Sequence, residues 1–173
     1  TGKLAYTTRD IQEMLSVAKN QRARALILFL ASTGVRVGAI IELKMKHIKD
    51  MPHGCKAFCI YEGSVEEYWT FCTPECSEEI EKYLAKRKLE GEVFTPETPV
   101  FLAQNHNGSE LLPMGQFAVY TTIRRVLMQA GRRDPKDTTY QRYDKMTLHA
   151  FRKRFLTILK NTPNIKMATA ERL

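Results

Sequence analysis

Apolar residues recur with helical spacing along most of this chain, and two short aromatic-rich runs interrupt that pattern once. The runs, Ala57–Tyr61 and Tyr68–Cys72, flank a polar segment that contains Gly63. Five-residue apolar runs on either side of a glycine-containing turn are typical of a β-hairpin. Because helical spacing precedes and follows the hairpin, the sequence predicts a mainly α fold with a small antiparallel β-sheet.

Capping residues and glycines predict where the helices begin and end. Before the hairpin we expect a helix capped by Thr8 and a helix over 22–32 that ends at Gly34. A third helix is predicted to carry, on one face, Val37, Ile40, Ile41, Met45 and Ile48. After the hairpin, Thr73-Pro74-Glu75 predicts a helix start, since proline at the first helical position and an acid in the first turn are favoured there.

Two more helices and two loops are expected in the second half of the chain. Residues 89–113 are predicted to be mostly loop, and a helix over about 115–130 is predicted to end at Gly131. A basic loop over 132–145 follows, and residues 168–173 are predicted to start a further helix. Thr147 is expected to cap a helix that runs through residue 160 and buries Leu148, Phe151, Phe155 and Leu159.

The charge distribution indicates a polyanionic partner. The 173-residue chain has 27 Lys and Arg against 19 Asp and Glu, a formal net charge of +8. The basic residues concentrate in 1–61 and 124–173, whereas acidic residues dominate 62–97. If the two basic ends share one surface, that surface attracts nucleic acid.

Composition excludes several classes of protein. A hydrophobic fraction of 43% and a charged fraction of 27% are ordinary for one globular domain. No apolar window approaches the ~18 residues of a membrane span, and residues 1–20 do not resemble a signal peptide. Four cysteines do not make a disulfide scaffold, so we expect an intracellular setting.

One candidate site follows the glycine that ends the second helix. Residues 32–38 read Ser-Thr-Gly-Val-Arg-Val-Gly, which puts Arg36 at the start of the next predicted helix. Its guanidinium can project there beside free backbone N–H groups, a suitable place to bind phosphate. The alternative is a surface arginine after an ordinary helix cap.

A second candidate site lies on the helix near residue 150. His149 and Arg152 are three positions apart, so they share one helix face. An imidazole that transfers protons beside an arginine that clamps phosphate suits phosphoryl transfer on a nucleic-acid backbone. The alternative is a basic amphipathic helix whose histidine caps the helix or is solvated.

Together the two segments resemble the catalytic domain of tyrosine recombinases, the phage-type integrases, and most closely their archaeal members. The resemblance rests on residues 33–38 (Thr-Gly-Val-Arg-Val-Gly), with Leu43 and His47-Ile48 after them, and on residues 149–152 (His-Ala-Phe-Arg). The hairpin and its following helix stand between the motifs in the expected order. The resemblance therefore covers essentially the whole chain.

The resemblance implies a role for each matching residue. Arg36 and Arg152 correspond to the family's phosphate-binding arginines, and His149 to its accompanying acid–base residue. In the family, a tyrosine attacks the scissile phosphodiester of double-stranded DNA and forms a 3′-phosphotyrosyl link. The freed 5′-hydroxyl then attacks the partner strand. No metal or nucleotide cofactor is implied, since the covalent link keeps the bond energy.

The resemblance has two departures. The family places a catalytic lysine, the general acid, in the hairpin turn, where this chain has Val65; Lys56 lies some nine positions earlier as a possible substitute. The family's nucleophilic tyrosine follows the His-x-x-Arg helix, and neither Tyr140 nor Tyr143 matches its position. We therefore expect residues 1–173 to be a partial catalytic domain that lacks the nucleophile and the amino-terminal DNA-clamping domain, and so does not cleave DNA.

Basic residues near the two motifs are the expected DNA contacts, most of them to phosphate. They are Lys44, Lys46, Arg124, Arg125, Arg132, Arg133, Arg142, Lys145, Lys153 and Arg154. A separate group contains Cys55, Cys59, Cys72 and Cys76. Its C-x₃-C spacing is poor evidence for zinc, and buried thiols are the alternative; Cys55 and Cys72 are possible cross-strand neighbours.

Other functions remain open from the sequence. A type IB topoisomerase-like core uses the same residues without a partner strand, and a non-catalytic DNA-binding module would tolerate Val65. An RNA-binding or purely structural helical domain would leave the two motifs unexplained. The family acts as a homotetramer on DNA, whereas we expect this chain alone to be a monomer, cytoplasmic and associated with the nucleoid.

Overall fold

The computed structural model describes residues 3–103, 111–133, 145 and 147–163. Most of this part is helical, and one three-stranded antiparallel sheet lies between helices, so the expected fold class is confirmed. In chain order the elements are α1 (Thr8–Val17), α2 (Gln21–Thr33), α3 (Ala39–Glu42), β1 (Ile48–Asp50), β2 (Lys56–Ile60), β3 (Tyr68–Cys72), α4 (Pro74–Leu89), α5 (Gln116–Gln129) and α6 (His149–Asn161).

Local capping explains the first two helices and α4. Thr7, rather than the predicted Thr8, caps α1, because its hydroxyl accepts the Asp10 amide while the Asp10 carboxylate accepts the Thr7 amide at 2.6 Å. This reciprocal arrangement satisfies two otherwise free helix donors. The side chain of Asn20 caps α2. Thr73 caps α4 with Pro74 at its first position, as predicted.

The long third helix predicted through Ile48 is wrong. Helix α3 has four residues, and Leu43 then adopts an extended conformation. The reason is a set of hydrogen bonds to residues 96–100: the Leu43 carbonyl accepts the amide of Val100 at 3.0 Å, and the Met45 amide donates to Thr98 at 2.9 Å. After a short 3₁₀ turn, Ile48 begins β1, which adds a third strand to the hairpin.

The hairpin forms where the sequence predicts it. Strands β2 and β3 pair antiparallel, with Ile60 opposite Tyr68 at the turn end and Lys56 opposite Cys72 at the other end. Cys72 therefore faces Lys56 rather than Cys55. The order β1-β2-β3 places β2 in the centre, and all five of its residues are buried.

Helix α2 forms the centre of the core. Its residues Ala25, Leu26 and Ile27 are fully buried. Phe29 lies edge-on to Phe58 of β2 at 4.9 Å between ring centroids. Helices α1, α4, α5 and α6 and strand β3 all pack around α2, which is why its apolar residues surround the helix instead of forming one stripe. No helix in the described ranges is long and apolar enough to cross a membrane.

The start of α6 differs from the prediction. Leu148 precedes the helix, and Thr147 does not cap it; its carbonyl instead accepts the hydroxyl of Tyr6 at 3.1 Å. Phe151 is buried as expected, whereas Leu148, Phe155 and Leu159 are only partly buried. Phe155 packs against Gly34, the left-handed residue that ends α2.

Gly34 is indispensable for two reasons. Its φ of 61° is left-handed, and a Cβ added there would lie 2.3 Å from the Phe155 ring. We expect Gly34→Ala to destabilise the protein by about 3 kcal/mol, the combined cost of a left-handed alanine and of overpacking. Urea unfolding measures this change.

Gly63→Ala is the matched control, because Gly63 also has positive φ but nothing lies within 4 Å of its added Cβ. It should cost only the backbone penalty, about 1–2 kcal/mol. Equal losses for the two variants would contradict the close packing at Gly34.

Candidate active site

Arg36 lies in the short connection between α2 and α3. The left-handed Gly34 ends α2 and turns the chain, and the Arg36 carbonyl accepts the amide of Ala39 as α3 begins. The side chain is 56% exposed, and its guanidinium lies 3.9 Å from the carboxylate of Glu66 in the hairpin turn. An exposed arginine at this distance is weakly paired, so it is accessible to an incoming anion.

Arg152 connects α6 to the same segment. Its guanidinium donates to the carbonyl oxygen of Gly34 at 2.8 Å, across a sequence separation of 118 residues. One turn earlier on α6, His149 is exposed. The hydrogen bond holds Arg152 against Gly34, two positions before Arg36 in the chain. A guanidinium has five N–H donors, so Arg152 can bind a ligand as well.

One cleft of about 660 Å³ contains the three predicted catalytic residues. Arg36, His149 and Arg152 all line it, and much of its remaining wall is apolar. The apolar wall is formed by Leu30, Val35, Val37, Tyr120 and Leu148. Two arginines and an imidazole beside an apolar wall can bind a phosphate and strengthen its electrostatic contacts by limiting water.

Neither Val65, at the position expected for the catalytic lysine, nor Lys56, its possible substitute, lines the cleft. Val65 is fully exposed in the hairpin turn. Lys56 lies at the opposite end of β2, about 13 Å of strand away from the turn, and pairs with Asp50 at 2.6 Å and Glu81 at 2.9 Å. Burial lowers the pKa of Lys56, but hydrogen bonds to these two carboxylates outweigh it and raise the pKa. This placement does not support Lys56 as a substitute acid.

The sequence did not indicate that two hairpin tyrosines, Tyr61 and Tyr68, interact electrostatically with the two arginines; the aromatic residues at 68, 69 and 71 suggested only packing in the core and on the sheet face. Burial raises the pKa of Tyr61 and of Tyr68, while the charges of Arg36 and Arg152 oppose that rise at both hydroxyls. Tyr61 is also one of two non-glycine residues with positive φ in the described part, at 54°. Aromatic residues in strands usually indicate packing, so the sequence contained no signal for this position.

Lys44 and Lys46, two predicted DNA contacts, lie between α3 and β1 and already pair with carboxylates. Lys44 binds Glu97 at 2.5 Å, and Lys46 binds Glu62 at 2.9 Å and Glu97 at 3.2 Å. Hydrogen bonds to Glu62 and Glu97 raise the pKa of Lys46. The buried His47 accepts a hydrogen bond from the Lys44 amide, and its other ring nitrogen contacts Glu62. These contacts connect the segment between α3 and β1 to the hairpin turn.

Four other predicted contacts hold the chain together near α6. Lys153 donates to the Lys3 carbonyl, and Arg154 donates to the Tyr6 carbonyl at 3.3 Å. Burial lowers the pKa of Arg154. Arg132 pairs with Glu13, and Arg133 donates to the Lys145 carbonyl. These side chains anchor the amino-terminal segment and the end of α5.

The remaining predicted contacts are on α5, near Asp10, or outside the described residues. Arg124 is partly buried, and Arg125 is exposed beside a second cleft that Arg22 also lines. Lys145 binds the carboxylate of Asp10 at 2.5 Å. Arg142, Tyr140, Tyr143 and residues 168–173 lie outside the described residues.

The four cysteines are free thiols. Hydrogen bonding to Cys76 lowers the pKa of Cys72, and burial raises that of Cys76. Within the described residues, no group of three or more His, Cys, Asp or Glu side chains is placed to hold a metal ion.

Three solved structures share this fold. XerA recombinase matches with a TM-score of 0.70 and 21% identity, over 99% of this chain and 60% of its own. The Tn1549 transposon integrase in complex with transposon right end DNA matches with a TM-score of 0.70 and 17% identity. The match covers 99% of this chain and 57% of the integrase chain. XerH site-specific recombinase bound to difH substrate matches with a TM-score of 0.64 and 21% identity. The match covers 98% of this chain and 50% of the XerH chain. The chain thus spans 60% or less of these three structures.

The fold is that of a tyrosine recombinase catalytic core. No curated protein sequence matches the chain significantly. The model of the phage integrase family matches residues 6–168, and the chain therefore belongs to that family.

Asp10 joins three parts of the chain next to the cleft. Its buried carboxylate accepts the Thr7 amide and binds Lys145 at 2.5 Å, and Arg132 lies 3.5 Å away. Burial raises the pKa of Asp10, but the hydrogen bonds from Lys145 and Thr7 outweigh it and lower the pKa. We expect Asp10→Asn to destabilise the protein by about 2 kcal/mol at pH 7, because it weakens the reciprocal hydrogen bond with Thr7 at the start of α1 and removes a charge-assisted hydrogen bond with Lys145.

The pH dependence of unfolding tests this assignment. Because the folded pKa lies below the unfolded value of about 3.9, the contribution of Asp10 is complete above that value and is lost as the pH falls through the folded pKa. The stability difference between the parent and Asp10→Asn should therefore shrink below about pH 4. Glu13→Gln, which removes the more exposed partner of Arg132 and the partner of the exposed Arg9, should change stability little. A pH-independent difference would contradict the assignment.

Proposed function

We propose that this chain is the catalytic core of a site-specific DNA recombinase that breaks and rejoins strands through a 3′-phosphotyrosyl intermediate. The observation that carries the proposal is the single cleft that holds both arginines, with Arg152 tied to the Gly34 carbonyl two residues from Arg36. Family membership supports it, as do the DNA complexes of XerH and of the Tn1549 integrase.

In the proposed reaction, the chain's own residues bind and polarise the scissile phosphate. Arg36 and Arg152 donate N–H groups to its non-bridging oxygens and stabilise the charge that develops in the pentacoordinate transition state. His149 lines the same cleft and accepts or returns a proton. The attacking tyrosine belongs to the family's mechanism, and we propose that it lies outside the described residues, in the rest of a longer catalytic domain that assembles as a tetramer on DNA.

A non-catalytic DNA-binding module is the second candidate. The observation that favours it is the hairpin turn, where the exposed Val65 offers no proton and Glu66 lies beside Arg36. Such a module would keep both arginines for phosphate binding and need no nucleophile.

Arg36→Ala tests the phosphate-binding role. In the protein at its full natural length, incubated with a nicked duplex bearing its attachment site, we expect the covalent protein–DNA adduct to form at least about 10²-fold more slowly. Binding to duplex DNA should weaken modestly, with the slope of log K against log salt falling by about 0.9. A denaturing gel and salt-dependent binding curves measure the two effects.

Arg9→Ala is the matched control, because Arg9 is 85% exposed on α1 and, in the part of the chain that the structure describes, its one ion pair is with Glu13. It should leave adduct formation unchanged. Binding that depends on salt without an adduct in any variant would favour the non-catalytic module. Relaxation of supercoils without strand exchange would favour a topoisomerase-like core.

Val65→Lys tests the missing acid. Because Val65 is fully exposed, the substitution should leave the fold intact. A lysine there can supply the leaving oxygen with a proton, so we expect adduct formation to accelerate at least about tenfold. Val65→Met, of similar length but without a proton to donate, should show no acceleration. Equal rates for the two variants would show that the turn does not reach the phosphate.

A further inference from the structure

The start of α6 has no side-chain cap of its own. Leu148 occupies the cap position, and its side chain forms no hydrogen bond to the first turn. The first turn of a helix has free amides and frays easily unless other contacts hold it. His149 is the first residue of α6, so its position in the cleft depends on how firmly that turn is held.

Tyr6, from the segment before α1, holds this turn instead. Its hydroxyl donates to the Thr147 carbonyl at 3.1 Å, and its amide donates to the Ala150 carbonyl at 3.3 Å. Its ring lies edge-on to Phe151, with 4.8 Å between the ring centroids. These contacts fall on both sides of His149 along the chain, so they fix the backbone that carries the imidazole.

Tyr6 is itself firmly held. Only 3% of the residue is exposed, and its ring partner Phe151 is buried as well. Arg154 of α6 donates to the Tyr6 carbonyl at 3.3 Å. Burial raises the pKa of Tyr6 far above its usual value, so the hydroxyl keeps its proton and remains the donor in the bond to Thr147.

Tyr6 stands outside the cleft whose wall it holds. Thr147, Leu148 and His149 line the cleft on this side, whereas Tyr6 lines a separate cavity of about 220 Å³. Any effect of Tyr6 on a phosphate bound in the cleft must therefore pass through the residues that it contacts.

We propose that Tyr6 is a positioning residue of this site: by holding the residues on both sides of His149, it keeps the imidazole in the cleft with Arg36 and Arg152. The inference rests on the proposed function, because it concerns the proton transfer assigned there to His149. A catalytic side chain must be held within about 0.5 Å of its working geometry, which an uncapped helix start alone does not ensure.

Tyr6→Phe tests the inference, because it removes the hydroxyl bond to Thr147 and keeps the aromatic ring. In the protein without DNA, we expect the imidazole signals of His149 in nuclear magnetic resonance spectra to shift or broaden, while those of His47 and His53 stay in place. In the protein at its full natural length, the maximal rate of adduct formation should fall about fivefold, the net worth of one hydrogen bond. The DNA concentration that gives half of that rate should stay unchanged, since both arginines still bind the phosphate.

Tyr83→Phe is the matched control. Tyr83 is also buried, its hydroxyl accepts one backbone amide, that of Leu102, at 3.2 Å, and its ring stacks with Phe101. Because Tyr83 does not line the cleft, the variant should lower the melting temperature about as much as Tyr6→Phe but change neither the His149 signals nor the rate. Equal rate losses in the two variants, or unchanged His149 signals in Tyr6→Phe, would overturn the inference.

The two measurements separate this inference from the proposed function. If the parent protein forms the adduct and Tyr6→Phe forms it at the same rate, the positioning role is wrong and the proposed function stands. If the parent forms no adduct while the His149 signals move only in Tyr6→Phe, the proposed function fails, and Tyr6 holds the start of α6 without a role in the reaction.

Discussion

The contact between α6 and Gly34 determines the geometry of the cleft. Phe155 packs where a side chain at position 34 would stand, and Arg152 donates to the carbonyl of that same residue. A bulkier residue would push α6 away and move Arg152 relative to Arg36. One glycine therefore fixes the relative positions of two arginines that are 116 residues apart in the chain. Its left-handed φ, which ends α2, is what turns Arg36 toward α6.

Carboxylates pair with Arg36 and with several of the predicted DNA-contacting lysines. Glu66 lies near Arg36, Glu97 binds Lys44, and Asp10 binds Lys145. Exposed pairs of this kind contribute little to stability, so phosphates can replace the carboxylates at low cost. The Asp10 pair is different, because its carboxylate is buried and also accepts the amide of Thr7, the residue that caps α1. Lys145 is accordingly more important for structure than Lys44, although the sequence predicted the same role for both.

The sequence predicted the elements that depend on local interactions. The hairpin, the start of α4 at Thr73-Pro74 and the end of α2 at Gly34 each follow from a few neighbouring residues. The third helix failed because Leu43 forms its hydrogen bonds with the segment around Val100, a distant partner that periodicity does not reveal.

For the site as well, some features could be predicted from the sequence and others depend on the folded structure. Resemblance identified the residues that the structure brings into one cleft, whereas the left-handed backbone of Tyr61 is a property of the folded turn that residue identity does not encode. Where the resemblance leads one to expect a lysine, this hairpin carries acidic residues and an exposed valine, so the potential near Arg36 is less positive than a lysine would make it. In the proposed function, an incoming phosphate competes with the weakly paired Glu66 for Arg36 and displaces its side chain, which is 66% exposed. Exposed side chains change rotamer within picoseconds to nanoseconds, so this displacement requires no opening of the fold. The loop after α2 is then held to α6 by a hydrogen bond and by packing, whereas the Glu66 side chain is the part of the site that adjusts.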